Sequence, residues 1–178
     1  MKDTCKVAAS FGAKGVIVHG GSVGEGGDIS VGYDNWRKAL EHVEDTGMRV
    51  LVENTAGGKN SVARYMDSIE RLWEVIGHLN VGLCLDTCHT WAGGIPTIDA
   101  VKGFKKLVKK IDLIHFNDSK DGFESSRDRH ENLGKGKIPK EELEYVIKNA
   151  KTDIIVETPN GPDAQKKDIA WIRRRLKK

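Results

Sequence analysis

The sequence predicts an α/β fold in which strands of a parallel sheet alternate with helices. Three observations lead there: five short apolar runs recur along the chain, amphipathic stretches separate them, and every run carries a carboxylate or imidazole at or near its end. The runs are GVIVH at 15–19, RVLVE at 49–53, VGLCLD at 81–86, IDLIHF at 111–116 and DIIVE at 153–157. They are continuous and rich in branched residues, as expected of strands covered on both faces.

The stretches between them read as helices. Residues 3–13 form one ahead of the first strand. Asp34 or Asn35 caps the next, which runs through Trp36, Leu40 and Val43 to a stop at Gly47. Ser61 opens a third, with Ile69, Leu72, Trp73 and Ile76 on its apolar face, and residues 98–110 form a fourth. Pro139 stands at a first helical turn before Leu143, Val146 and Ile147, and the last helix runs from Asp163 to Leu176.

Spacing narrows the class. The strand-end residues His19, Glu53, Asp86, His115 and Glu157 follow one another at steps of 34, 33, 29 and 42 residues. A complete eight-unit barrel of about 250 residues averages roughly 31 per unit. An open doubly wound sheet fits the spacing nearly as well. The strand-end residues favour the barrel, because barrel enzymes assemble their sites from the ends of several strands. GGSVGEGG at 20–27 is glycine-rich but lacks the G-x-G-x-x-G register of a dinucleotide loop. The reading is a partial TIM-type barrel, about five of eight strand–helix units, as a single domain over 1–178.

Composition sets wide bounds. A chain of 178 residues with 38% hydrophobic and 31% charged residues has the profile of a globular domain. No apolar run reaches the roughly 18 residues of a membrane span, and MKDTCKVAAS at the N-terminus has no apolar signal core. No membrane association and a cytoplasmic location are therefore expected. Cys5, Cys84 and Cys88 are odd in number and lack a framework spacing, which argues against a disulfide scaffold and for a reducing compartment, and the C-x3-C spacing of Cys84 and Cys88 argues against thiolate ligation. A net charge of +3 permits nucleic acid without demanding it, and the basic tail Arg173, Arg174, Arg175, Lys177 and Lys178 reads as a solvated helix end.

Of six histidines, His19, His89, His115 and His130 stand at strand ends or in the loops that follow, whereas His42 and His78 fall in helical stretches. Glu53, Asp86, Asp128 and Glu157 accompany them. Each residue alone has a plain explanation: Glu53 as a helix cap, Asp86 as an acceptor of backbone N–H groups, His115 as a core histidine, Glu157 as a lysine partner. Five equivalent positions in a row outweigh those explanations. Carboxylates gathered at one mouth repel unless positive charge offsets them, and His with Asp/Glu is a set suited to zinc. His89, three residues beyond Asp86, reaches along the loop toward a neighbouring ion. Asp128 and His130 form a D-x-H pair in a loop of about twenty residues, a length usually tied to function or disorder.

These segments resemble a known family. ENTAG at 53–57, GLCLDTCH at 82–89 with TWAGG after it, HFND at 115–118 and DRHENLG at 128–134 are similar to the signature segments of endonuclease IV, the AP endonuclease 2 family, in its order and spacing. The resemblance implies an αβ barrel that cleaves double-stranded DNA on the 5′ side of abasic sites, with up to three zinc ions and sometimes manganese in one site. It implies Glu53 as a bridging carboxylate, Asp86, His115 and Glu157 on one ion of that pair, and His19 on the other. His89, Asp128 and His130 form the shell of a third. Glu53 and Glu157 then position the attacking hydroxide, and Arg127, Arg129, Lys135 and Lys137 flank the third site as candidate phosphate contacts.

Gly20 stands where the family usually has proline. The resemblance also implies that the family's N-terminal strands, and a second histidine on the ion held by His19, are absent. The expectation is a truncated or mis-started version of a longer protein, one site incomplete, with open edges available for self-association. Two other readings stand beside it: a xylose-isomerase-like sugar isomerase or epimerase, and an inactive metal-binding remnant of the nuclease.

Overall fold

The computed structural model describes residues 1–177; Lys178, counted above with the basic tail, lies outside them. Helix α1 (Lys2–Ser10) precedes β1 (Val16–His19), α2 (Ile29–Val43), β2 (Val50–Glu53), α3 (Met66–Ile76) and β3 (Val81–Asp86). Then come α4 (Thr87–Gly93), α5 (Thr97–Val108), β4 (Leu113–His115), β5 (Asp118–Ser119), β6 (His130–Glu131), α6 (Lys140–Ala150), β7 (Asp153–Ile155) and α7 (Gly161–Leu176).

The sheet order is β1-β2-β3-β4-β7, with every neighbouring pair parallel. Each strand adds to the same side of the one before it. A doubly wound sheet reverses its order at a switch point, so this progression belongs to a barrel arc. Among the described residues the outer edges of β1 and β7 are unpaired.

Strand alternation divides the side chains between the two faces. Val16, Val18, Val50, Val52, Val81, Leu83, Leu85, Ile114, Ile154 and Val156 pack into or against the core beneath the helices. The helices meet them with residues at helical spacing, such as Ile69, Leu72 and Ile76 of α3 and Leu143, Val146 and Ile147 of α6. Each fully buried Leu or Ile contributes about 1.5–3 kcal/mol. The opposite parity carries Ile17, His19, Leu51, Glu53, Gly82, Cys84, Asp86, Leu113 and His115, and in register terms His19 pairs Glu53 and Asp86 pairs His115. The polar strand ends therefore share the concave face.

Several boundaries differ from the sequence reading. Helix α2 begins at Ile29, with Asp28 accepting from the Ser30 N–H, so Asp34 lies inside the helix. Asp34 instead pairs with Arg37 and Lys38. Helix α3 begins at Met66, five residues after Ser61, because Ser61 and Val62 bond back to Gly21. The fourth strand is shorter than residues 111–116, since the Asp112 carboxylate leaves to accept from the Leu83 N–H and Arg49. Glu157 lies two residues beyond β7. The supposed loop after Asp86 is the helix α4, and the long loop before α6 contains the antiparallel pair β5–β6.

Candidate metal centre

His19, Glu53 and Asp86 end β1, β2 and β3, and His115 ends β4. Asp86 serves two purposes at once. Its Oδ1 caps α4 by accepting the His89 N–H at 2.8 Å, and its Oδ2 accepts from Asn117 Nδ2 at 2.7 Å. The expected backbone role and a role in the cluster are thus compatible, since each carboxylate oxygen retains a further lone pair. Capping by Asp86 also explains how His89 arrives: one helical turn lifts its ring to the rim of the strand ends.

Side chains gather there in overlapping groups, one of them His19, Glu53 and His89. Glu53, Asp86, His115 and Glu157 each offer one ligand atom, and these atoms lie within 4.8 Å of one another. His115 Nδ1 is 2.9 Å from Glu53 Oε1 and 3.1 Å from Glu157 Oε2. Glu53 and Asp86 are almost fully buried, so their like charges meet in a poorly solvated space. A further group is His89, Asp128 and His130, again within 4.8 Å. His19 approaches from the edge strand, its Nε2 3.3 Å from Glu53 Oε2, and its ring centre is 5.4 Å from that of His89.

The hydrogen bonds of the two inner imidazoles decide what the second group can accept. His89 Nδ1 lies 2.8 Å from the Asn54 carbonyl and His130 Nδ1 lies 3.3 Å from the Glu157 carbonyl. A carbonyl only accepts, so each Nδ1 carries a hydrogen, and once the ring gives up its second proton each Nε2 presents a lone pair. Both Nε2 atoms are buried and make no hydrogen bond, although they sit 3.1 and 3.2 Å from the same Asp128 Oδ1. Two lone pairs and a carboxylate oxygen converging on one point have the chemistry of a cation site.

Charge on these groups follows the same logic. Burial disfavours the His89 cation, but Asp86, Asp128 and Glu53 outweigh it and raise its pKa to about 9. His130 is likewise raised to about 9, burial being overcome by Asp128 and Asp86. The His130 and His89 rings, each with Nε2 close to Asp128 Oδ1, drive the Asp128 carboxyl far below its usual range. Burial pushes the Cys88 thiol up to about 12 and Cys84 higher still, with the neighbouring carboxylates adding to it. Both thiols are protonated in the metal-free fold, and their sulfurs lie within 4.8 Å of ligand atoms of the cluster, Cys84 with Glu53 and His115 and Cys88 with Asp86 and His130.

The remaining sequence candidates lie around this centre. Arg129 forms a two-pronged pair with Asp121, and Arg127 lies 3.8 Å from the same carboxylate. Lys135 and Lys137 are exposed on a turn that Asp118 organises. The buried Asp118 carboxylate accepts four backbone N–H groups, from Ser119, Gly134, Gly136 and Ile138, at 2.8–3.1 Å. A Cβ on Gly136 would fall 2.3 Å from Asp118 Oδ1, so only glycine fits there. Gly20 donates its N–H to the Glu53 carbonyl at 2.9 Å, a bond proline would lack, and a Cβ there would collide with Ala63. His42 and His78 are exposed and remote from the cluster by element. A cleft of about 340 Å³ beside His19, His89 and Asp128 is walled by Gly21, Ser22, Gly57 and Ser126.

Sequence reasoning missed the side chains that hold this centre together. Asn54 Oδ1 accepts the Asp86 N–H at 2.8 Å and its Nδ2 donates to the Asp86 carbonyl at 3.1 Å, continuing the β2–β3 ladder with a side chain. Arg64 donates to the Gly93 carbonyl and to Ser126 Oγ, tying α4 to the segment that carries Asp128. Asn54 belongs to the ENTAG segment and Arg64 to none of the motif segments, and nothing in their spacing signals these roles.

Comparison with known proteins places the chain. A family profile described as xylose isomerase-like TIM barrel matches residues 1–175. A probable endonuclease 4 of Mycobacterium tuberculosis is 49% identical over 175 residues, spanning 98% of this chain and 68% of the relative. One of Mycobacterium leprae is 46% identical with the same coverage. Among solved structures, endonuclease IV of Thermus thermophilus superposes with a TM-score of 0.80 at 30% identity, covering 99% of this chain and 66% of that one. A D-tagatose 3-epimerase-like protein reaches 0.76 at 20% identity, covering 99% and 67%, a likeness of fold alone. The chain thus spans about two thirds of the length of the relatives it matches. Among the described residues no helix is long and apolar enough to cross a membrane.

Proposed function

This chain belongs to the endonuclease IV family of xylose isomerase-like TIM barrels, and from that premise we propose that it is a zinc-dependent nuclease of DNA base-excision repair. Its substrate is double-stranded DNA with an abasic site, and its reaction is hydrolysis of the phosphodiester on the 5′ side. The observation that carries the reading is the convergence of the buried Nε2 atoms of His89 and His130, neither with a hydrogen-bond partner, on Asp128 Oδ1, beside a second cluster of three carboxylates and one imidazole.

The residues present fit the metals. Glu53, Asp86, His115 and Glu157 would hold one ion, His89, Asp128 and His130 another, and His19 with Glu53 would share in a further one. When bound, such ions supply Lewis acidity that lowers the pKa of a water and offsets the charge of a phosphate. The side chains perform the remaining work. Glu53, with one oxygen facing His19 and the other His115, spans the two halves of the cluster. Glu157, half-exposed at the rim, is the carboxylate best placed to orient water. Asn54 and Glu157 carbonyls keep the His89 and His130 lone pairs aimed at the cleft. Lys135 and Lys137, free of ion pairs among the described residues, are the stronger candidates for phosphate contact, whereas Asp121 engages Arg127 and Arg129.

A sugar isomerase would share the fold but has no evident use for the His89–Asp128–His130 trio. The decisive assay offers the zinc- or manganese-loaded chain a duplex carrying one abasic-site analogue, with a ketose as the competing substrate. Incision on the 5′ side, lost on chelation and reduced at least a hundredfold by Glu53→Gln, is the expected result. A metal-loaded chain that leaves the duplex intact would establish the inactive remnant instead, and turnover of the ketose the isomerase.

A further inference from the structure

We propose that Asn117 is a positioning residue that couples the two halves of the metal centre, an inference that rests on the metal reading above. Its side chain is completely buried and both of its functional atoms are engaged. Nδ2 donates to Asp86 Oδ2 at 2.7 Å, and Oδ1 accepts the Glu157 N–H at 2.8 Å. The amide cannot be turned round, because a carboxylate accepts and a peptide N–H donates. One rigid group therefore sets both the rotation of the Asp86 carboxylate and the path of the backbone at Glu157.

The second of these reaches further. The Glu157 carbonyl, in the peptide that follows the one Asn117 anchors, faces His130 Nδ1, so holding the backbone at Glu157 also directs His130 Nε2 toward Asp128. Glu157 needs such an anchor, since it lies beyond the last ladder contact of β7 and its side chain is 42% exposed. Asn117 is itself fixed by Thr87 Oγ1, which accepts its N–H at 2.8 Å and donates to its carbonyl at 2.6 Å. The route from β3 to β7 through Thr87, Asn117 and Glu157 thus holds ligands from separate strands at one spacing. His89 meets this route only through its N–H on Asp86 Oδ1, and its ring is oriented by the Asn54 carbonyl.

Outer groups that orient metal ligands typically change affinity 10–100-fold when removed. The test titrates the full chain, stripped of metal, with cobalt(II), reading the d–d absorption and the number of ions retained after gel filtration. Asn117→Ala should weaken the Glu53–Asp86–His115–Glu157 site about 10–100-fold and alter its spectrum, with a smaller loss at the His89–Asp128–His130 site. Asn117→Asp preserves shape and the bond from Glu157 but sets two carboxylates face to face, and should weaken the same site while retaining the far-ultraviolet circular dichroism of the metal-free chain. Wild-type affinity and spectrum in both variants would overturn the proposal. So would loss of metal-free folding in both, which would make Asn117 a core residue only. Failure of the unaltered chain to take up cobalt would sink the metal reading itself, and this inference with it.

Discussion

Replacing Asp118 by asparagine is expected to cost a large part of the stability of the site-bearing segment. Asp118 Oδ1 accepts from Ser119 and Ile138, and Oδ2 from Gly134 and Gly136. Burial pushes this carboxyl upward and the four N–H donors pull it back, with burial the larger effect. An asparagine can offer an oxygen to only one of the two pairs. Either way round, its NH₂ faces two N–H donors that have no other partner. At about 1–3 kcal/mol for each unsatisfied buried donor, the change costs roughly 2–6 kcal/mol, nearest 2 when the NH₂ faces the more exposed Gly134 and Gly136. Domain stabilities of about 5–15 kcal/mol make that a severe loss. The segment freed would be the one carrying Asp128 and His130, so affinity at the His89–Asp128–His130 site should fall as well. Urea unfolding of the metal-free chain measures the first effect and cobalt titration the second. A stability change below about 1 kcal/mol would refute the claim that this carboxylate organises the turn.

Two further outcomes follow from the charges. His89 and His130 have pKa values raised to about 9 in the metal-free fold, so the stability they contribute is complete below the unfolded value of about 6.5 and is lost as pH rises through about 9. The melting temperature of the chelated chain should therefore fall across that window while metal affinity rises, because binding displaces the same protons; a chelated chain that gains stability there in scanning calorimetry would contradict it. Replacing Lys135 and Lys137 together by alanine should reduce the slope of log K against log salt for duplex binding by about 2, given about 0.9 per phosphate contact, and an unchanged slope would remove both from the DNA surface.

The α/β class and the five strands were legible because a buried parallel strand leaves a strong local mark, a short branched apolar run. The clustering of His19, Glu53, Asp86 and His115 was legible for a related reason: equivalent positions at strand ends must share a face once the strands are parallel and in register. Helix starts were less legible. Asp28 and Asp34 are equally good caps on paper, and only the tertiary fold, which ties Asn60 to the Gly24 and Gly27 carbonyls, sets where the chain turns into α2. Helix α4 was hidden because its seven residues are too few to show a period, and a buried Asp86 cap starts it.

What the sequence determined by itself was the set of groups able to meet a metal and the architecture that brings them together. Which atoms of those groups turn toward one another was decided by contacts between residues far apart in the chain, 35 positions for His89 with Asn54 and 27 for His130 with Glu157. The physical reason is that an imidazole has two nitrogens, and which one keeps its hydrogen depends on an acceptor that only the folded chain supplies.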